Sequence, residues 1–146
     1  GTAELVAFET KWRTNALVMD KWFALQIGFA SPETAAETTD RLTQLPAFDW
    51  KNPNRFRSVV GALSANHAGF HRADGAGYRV VTDWLLKMDP LNPQAAARMS
   101  TAFETWRRYD ASRQSHAKAQ LDRILAAPDL SRDLREMAAR LRGGAG

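Results

Sequence analysis

His67 and His71, in the run His67-Ala68-Gly69-Phe70-His71, form the one histidine pair at metal-binding spacing. On a helix, histidines four residues apart share a face and could ligate zinc. A zincin helix also needs Glu directly after the first histidine as general base, and here that position is Ala68. No histidine in the chain is followed by Glu. Gly69 weakens a helix at this point, so the two imidazoles need not lie in register, and a structural or capping role is expected. Other chemistry is also poorly supported. The chain has no cysteine, which removes thiolate metal sites, disulfides and cysteine nucleophiles together. There is no GxSxG, and Ser64 near His67 or Ser115 near His116 are ordinary accidents of helical composition. Gly75 and Gly77, in Asp74-Gly75-Ala76-Gly77-Tyr78, follow no strand and precede no Gly-Lys-Ser/Thr, so they read as a turn and a helix start.

Two arginine-bearing runs remain that folding alone does not demand. Asn52-Pro53-Asn54-Arg55-Phe56-Arg57-Ser58 places two guanidinium groups in the first turns of a helix, where cations oppose the macrodipole at roughly 0.3–1 kcal/mol. Asn92-Pro93-Gln94-Ala95-Ala96-Ala97-Arg98 repeats the layout. Either these are surface arginines paired with nearby carboxylates, or both helix starts present guanidinium groups to an anionic or carbonyl-bearing ligand.

The elements that must position these residues are helices. Apolar residues recur at helical spacing almost throughout, and no stretch of clean two-residue alternation appears. Phe56, Val59, Val60 and Leu63 stack on one face, as do Tyr78, Val81, Leu85 and Met88; Ala117, Leu121, Ile124 and Leu125; and Leu130, Leu134, Met137, Ala138 and Leu141. The early helix carries two stripes, Val18-Trp22-Leu25-Phe29 and Met19-Phe23-Ile27, which predicts a central element buried on both sides. Ser31-Pro32, Asn52-Pro53 and Asn92-Pro93 each set a capping side chain before a proline suited to the first helical position. Breaks are expected at Leu45 to Phe48, His71 to Gly77, Met88 to Leu91 and Ala127 to Asp129. The expectation is an all-α fold of about eight short helices in stacked antiparallel pairs, akin to helical solenoids. Trp12, Trp22, Trp50, Trp84 and Trp106 are best explained by core packing.

The chain has 146 residues, 45% hydrophobic and 25% charged, which suits a folded domain that needs no disulfide or metal staple. Residues 1–142 are read as that domain and 143–146 as a flexible tail or a remnant of cloning. The abrupt start at Gly1 suggests an excised piece, and no basic region followed by an apolar run marks a signal peptide. The apolar stretch from Ala16 to Ala30 is too short and too polar to span a bilayer, so no membrane partner is expected. Net charge is +4, with 15 Arg against 5 Lys. The densest basic group, Arg107, Arg108, Arg113, Lys118 and Arg123, is interleaved with Asp110 and Asp122, which favours a solvated helical face over a nucleic-acid surface.

Five segments, in order, resemble one family. They are Ala16-Leu17-Val18-Met19-Asp20-Lys21-Trp22-Phe23; Asn52 to Ser58; Asp74 to Tyr78; Leu91-Asn92-Pro93-Gln94; and Arg108-Tyr109-Asp110 with Arg113-Gln114. Their order and spacing are similar to those of the C-terminal helical domain of bacterial aminopeptidase N, a zinc-dependent gluzincin that removes amino acids from peptide N-termini. The resemblance implies a curved superhelix of helix pairs that covers the catalytic domain and encloses the substrate chamber. It also implies that zinc, its ligands and the transition-state groups belong to other domains, so this chain alone has no catalytic residue and holds no metal. Carried over by motif, Arg57 and Arg98 face the chamber where the leaving part of the peptide sits. The implied partners are the parent's catalytic domain and peptide substrates, in a bacterial cytoplasmic enzyme, with self-association expected of the isolated domain. The competing reading is a free-standing helical-repeat interaction module.

Overall fold

The computed structural model describes residues 2–5 and 15–143, and among these there is helix but no strand. Trp12 and residues 144–146 of the expected tail lie outside the described residues. After a helical turn at residues 2–5, the helices are α1 (Ala16–Gly28), α2 (Ala35–Leu42), α3 (Pro53–Phe56), α4 (Ala62–Ala65), α5 (His67–Phe70), α6 (Ala76–Met88), α7 (Pro93–Ser100), α8 (Ala111–Leu125) and α9 (Arg132–Arg142). A π-helical turn, Arg57–Gly61, joins α3 to α4, and a 3₁₀ segment, Thr101–Arg108, extends α7.

Packing follows chain order. α1 rests on the π turn, α4 and α2; α2 meets α6; α6 meets α7 and α8; and α9 closes over α7 and α8. The predicted stripes form the core: Phe56, Val59, Val60, Leu63, Tyr78, Val81, Leu85, Met88, Leu121, Ile124 and Leu134 are all buried. Leu125 and Met137 are only half-buried. Of the tryptophans, Trp22 and Trp106 are buried, and the Trp106 indole N–H donates to the Leu141 carbonyl at 2.8 Å. Trp50 and Trp84 are half-buried, with the Lys87 ammonium over both rings at 5.3 and 5.1 Å.

The expected caps hold at two of the three Asn/Ser-Pro sites. Asn52 Oδ1 accepts from the Asn54 and Arg55 amides at 2.9 and 3.2 Å, and Asn92 Oδ1 accepts from Ala95 at 3.0 Å. Ser31-Pro32 departs from the prediction, because α2 begins at Ala35. Ser31 Oγ bonds to Thr34 Oγ1 at 2.8 Å instead of capping a backbone amide, so the first residues form a turn.

α1 also corrects the sequence reading. Met19, Phe23 and Ile27 are fully buried, but in the other stripe Leu25 is 47% and Phe29 84% exposed. Trp22 of that stripe is buried and Val18 half-buried, so the stripe is open only towards its C-terminal end, at Leu25 and Phe29.

Between α5 and α6 the chain reverses tightly. Gly75 takes φ +81°, and Asp74 Oδ1 accepts from the Ala76 amide at 3.0 Å to start α6. A Cβ at Gly77 would collide with the carbonyl oxygens of Gly69 and Phe70, so glycine is what allows α6 to touch the end of α5. Arg72 clamps this turn onto α2 through Glu37 and Asp74, at 2.7 and 2.8 Å.

Candidate functional site

Arg55 and Arg57 stand two residues apart and point to opposite environments. Arg55 is buried: Nε pairs with Asp20 on α1 at 2.5 Å, Nη1 donates to the Ala47 carbonyl, and the guanidinium lies 5.5 Å from the Phe23 ring centre. It is a structural tie between α1 and α3. Arg57 is exposed, and its guanidinium donates to Asn54 Oδ1. It opens the π-helical turn, a feature frequent at functional sites.

Arg98 is also exposed, and its guanidinium makes no hydrogen bond or ion pair with the described residues. Its place differs from the sequence expectation of a helix start: it lies in the last turn of α7, where a cation favours the macrodipole. The helix is only eight residues long, and its layout from Asn92 puts Arg98 at the far end.

The fold brings Arg57 and Arg98 to one cleft of about 320 Å³. Phe56, Ala95 and Met99 contribute apolar surface, while Asn92 and Gln94 add polar groups. Met99 is fixed from behind by Gly61, whose vacant side-chain position lies 3.5 Å from the Met99 methyl, and by the Ser64 hydroxyl, 3.7 Å from its sulfur. Sequence reasoning singled out the two arginines and missed Met99 and Gln94, because the pairing of the π turn with α7 is a long-range contact without a local signature.

His67 and His71 end up at the two ends of α5. His67 is exposed, whereas His71 is buried with Nδ1 2.7 Å from the Tyr78 hydroxyl. Burial, reinforced by the neighbouring His67 and Arg113 charges, holds the His71 pKa down to about 4. With one ring nitrogen of His71 engaged by Tyr78 and no third donor gathered beside the pair, the described residues do not fit a catalytic zinc.

Two of the five cations in the basic group around α8 form ion pairs with the described residues. Arg113 pairs with Asp110 at 2.8 Å, Arg123 with Asp83 at 2.7 Å, and Asp122 with Arg142 at 2.7 Å. Arg107 donates to the Arg142 carbonyl and lies 4.5 Å from the Trp106 ring centre. No helix among the described residues is long and apolar enough to cross a membrane.

Comparison with known proteins places these features in a family. Residues 2–143 match the family described as DUF3458_C, a domain of unknown function made of ARM repeats. The chain is 43% identical over 140 residues to aminopeptidase N of Caulobacter vibrioides, covering 95% of this chain and 16% of that protein. It is 43% identical over 134 residues to aminopeptidase N of Haemophilus influenzae, covering 90% and 15%. Against aminopeptidase N of Escherichia coli it is 41% identical over 131 residues, covering 88% and 15%. The chain thus spans about one-sixth of the length of these relatives. It belongs to the DUF3458_C family of helical ARM-repeat domains, the family of the C-terminal domain of bacterial aminopeptidase N.

Proposed function

We propose that this chain is a non-catalytic wall of a zinc-dependent aminopeptidase, enclosing the chamber in which peptides lose their N-terminal residue. The observation that carries the proposal is the shared cleft of Arg57 and Arg98, two guanidinium groups from separate elements over an apolar floor of Phe56 and Met99. Planar guanidinium groups suit the backbone carbonyls and C-terminal carboxylate of a short peptide. The wall itself excludes folded proteins. Zinc and the residues that use it belong, in this reading, to the parent's catalytic domain, and this chain's part is to bind and orient the leaving portion of the peptide.

A second observation supports the placement against a larger body. Leu17, Leu25 and Phe29 expose apolar surface on α1, at 80%, 47% and 84%, and the relatives are about six times longer than this chain. The remainder of the parent enzyme is the proposed cover for that face.

The test is made in the full-length parent. Arg57→Ala and Arg98→Ala should raise KM for tri- and tetrapeptides by about ten-fold, the scale of one charge-assisted hydrogen bond. A single-residue anilide, which does not reach the cleft, should be turned over almost normally. Equal effects on both substrates would count against the reading.

A further inference from the structure

A second cleft, of about 480 Å³, lies between α5 and the 3₁₀ segment and is independent of the Arg57–Arg98 site. His67, His71, Thr105, Arg108 and Tyr109 contribute to it, together with Glu104. Three features converge on one ligand chemistry. Arg108 is exposed and, unlike its neighbours Arg107 and Arg113, makes no hydrogen bond or ion pair with the described residues. Glu104, the one carboxylate at the cleft, is already matched by Arg140 at 3.2 Å. The cleft therefore carries uncompensated positive charge.

The third feature is the buried histidine. Tyr78 is fully buried, and its hydroxyl has one partner among the described residues, His71 Nδ1 at 2.7 Å. A buried hydroxyl hydrogen needs an acceptor, so Tyr78 donates and Nδ1 accepts. In the neutral imidazole the hydrogen then resides on Nε2, which leaves a fixed N–H donor on a residue of the cleft. Tyr109 stacks flat on the same ring, with centroids 4.0 Å apart and planes at 15°, and locks its orientation. The ring is also held from the backbone side, where Arg113 Nε donates to the His71 carbonyl at 2.5 Å.

We infer that the His71 cleft is an anion subsite, in which Arg108 and the Nε2–H of His71 hold a carboxylate or phosphate group of a small ligand. The groups available to an anion are the Arg108 guanidinium, the His71 N–H and the Thr105 hydroxyl, which has no partner among the described residues, while the Glu104 carboxylate is engaged by Arg140. Tyr78 is a positioning residue, setting the tautomer without reaching the ligand.

The experiment titrates this chain with inorganic phosphate and, separately, with succinate, at constant ionic strength. Binding is read from the ¹H–¹⁵N signals of the histidine rings. The expected result is a saturable millimolar shift at His71 Nε2 and His67, from an Nε2-protonated starting tautomer. Saturation by phosphate alone or by succinate alone supports the site and assigns the ligand class. Arg108→Gln, a substitution of an exposed side chain without a partner among the described residues, should weaken binding about ten-fold, while Arg41→Gln, at an exposed arginine that lines neither cleft, should leave the midpoint within about two-fold. Linear, unsaturated shifts with both probes, an unchanged midpoint in Arg108→Gln, or an Nδ1-protonated His71 would each overturn the inference.

Discussion

Asp89, at the end of α6, accepts two hydrogen bonds from Ser131, at the start of α9: one from the backbone amide at 2.8 Å and one from the hydroxyl at 2.5 Å. Ser131 Oγ in turn accepts from the Leu134 amide at 3.1 Å, so a buried carboxylate of one helix fixes the cap of another 42 residues away. Asp89→Ala strands that amide and hydroxyl and should lower unfolding free energy by about 2–3 kcal/mol, as measured by urea denaturation. Ser131→Ala removes the cap but leaves the amide bond to Asp89, and should cost about 1–2 kcal/mol. Similar losses from both variants would mean that Asp89 contributes nothing beyond the cap.

Arg55 and Arg57 should separate stability from binding. Removing Asp20 leaves the buried Arg55 unpaired, and Asp20→Ala is expected to cost about 3–5 kcal/mol by thermal or urea unfolding. Arg57→Ala alters an exposed side chain and should stay within about 0.5 kcal/mol of the parent. If Arg57→Ala proved as destabilising as Asp20→Ala, its proposed effect on KM would have to be reassigned to folding.

His71 predicts a particular pH dependence. Its pKa is about 4 when folded and near 6.5 when unfolded, so between these values the unfolded chain binds a proton that the folded chain does not. Stability is therefore fully present above pH 6.5, declines as pH falls towards about 4, and levels off below. The slope reaches about 1.4 kcal/mol per pH unit, for a total on the order of 3 kcal/mol. Other groups titrate in the same range, so the informative quantity is the difference between the parent chain and His71→Gln across pH 4 to 7. A constant difference over that range would show that His71 does not carry the effect.

The exposed face of α1 predicts how the chain behaves without a partner. Leu25 and Phe29 should drive concentration-dependent self-association, seen by sedimentation velocity. Phe29→Glu should return the chain to a monomer with unchanged unfolding free energy, since Phe29 contributes little to the core. A monomeric parent chain at high concentration would remove the argument that this face is normally covered.

Much of this was legible from residue order. The stripes through Phe56 to Leu63 and Tyr78 to Met88 read out as buried faces because helical period is a local property, and Asn52 and Asn92 marked their helix starts because a cap acts within three residues. Arg57 and Arg98 were reached through motif resemblance, and their meeting in one cleft was not visible in either motif alone. Ser31 misled because a hydroxyl can serve a neighbouring hydroxyl as readily as a backbone amide, and the residues around it do not say which.

By itself, the sequence determined that the chain is helical, where most helices begin and turn, and that Gly75 and Gly77 form a turn and not a phosphate loop. Those properties depend on backbone preference and side-chain period over a few residues. Only the tertiary structure decided that Arg55 is buried against Asp20 while Arg57 is exposed beside Asn54, that α1 buries Met19, Phe23 and Ile27 and exposes Leu25 and Phe29, and that His71 Nδ1 meets the Tyr78 hydroxyl. Each of those outcomes depends on a partner brought from a distant part of the chain: Asp20 for Arg55, and α2 and the π turn for α1. For His71 the partner is Tyr78, which meets it only because α6 folds back on α5.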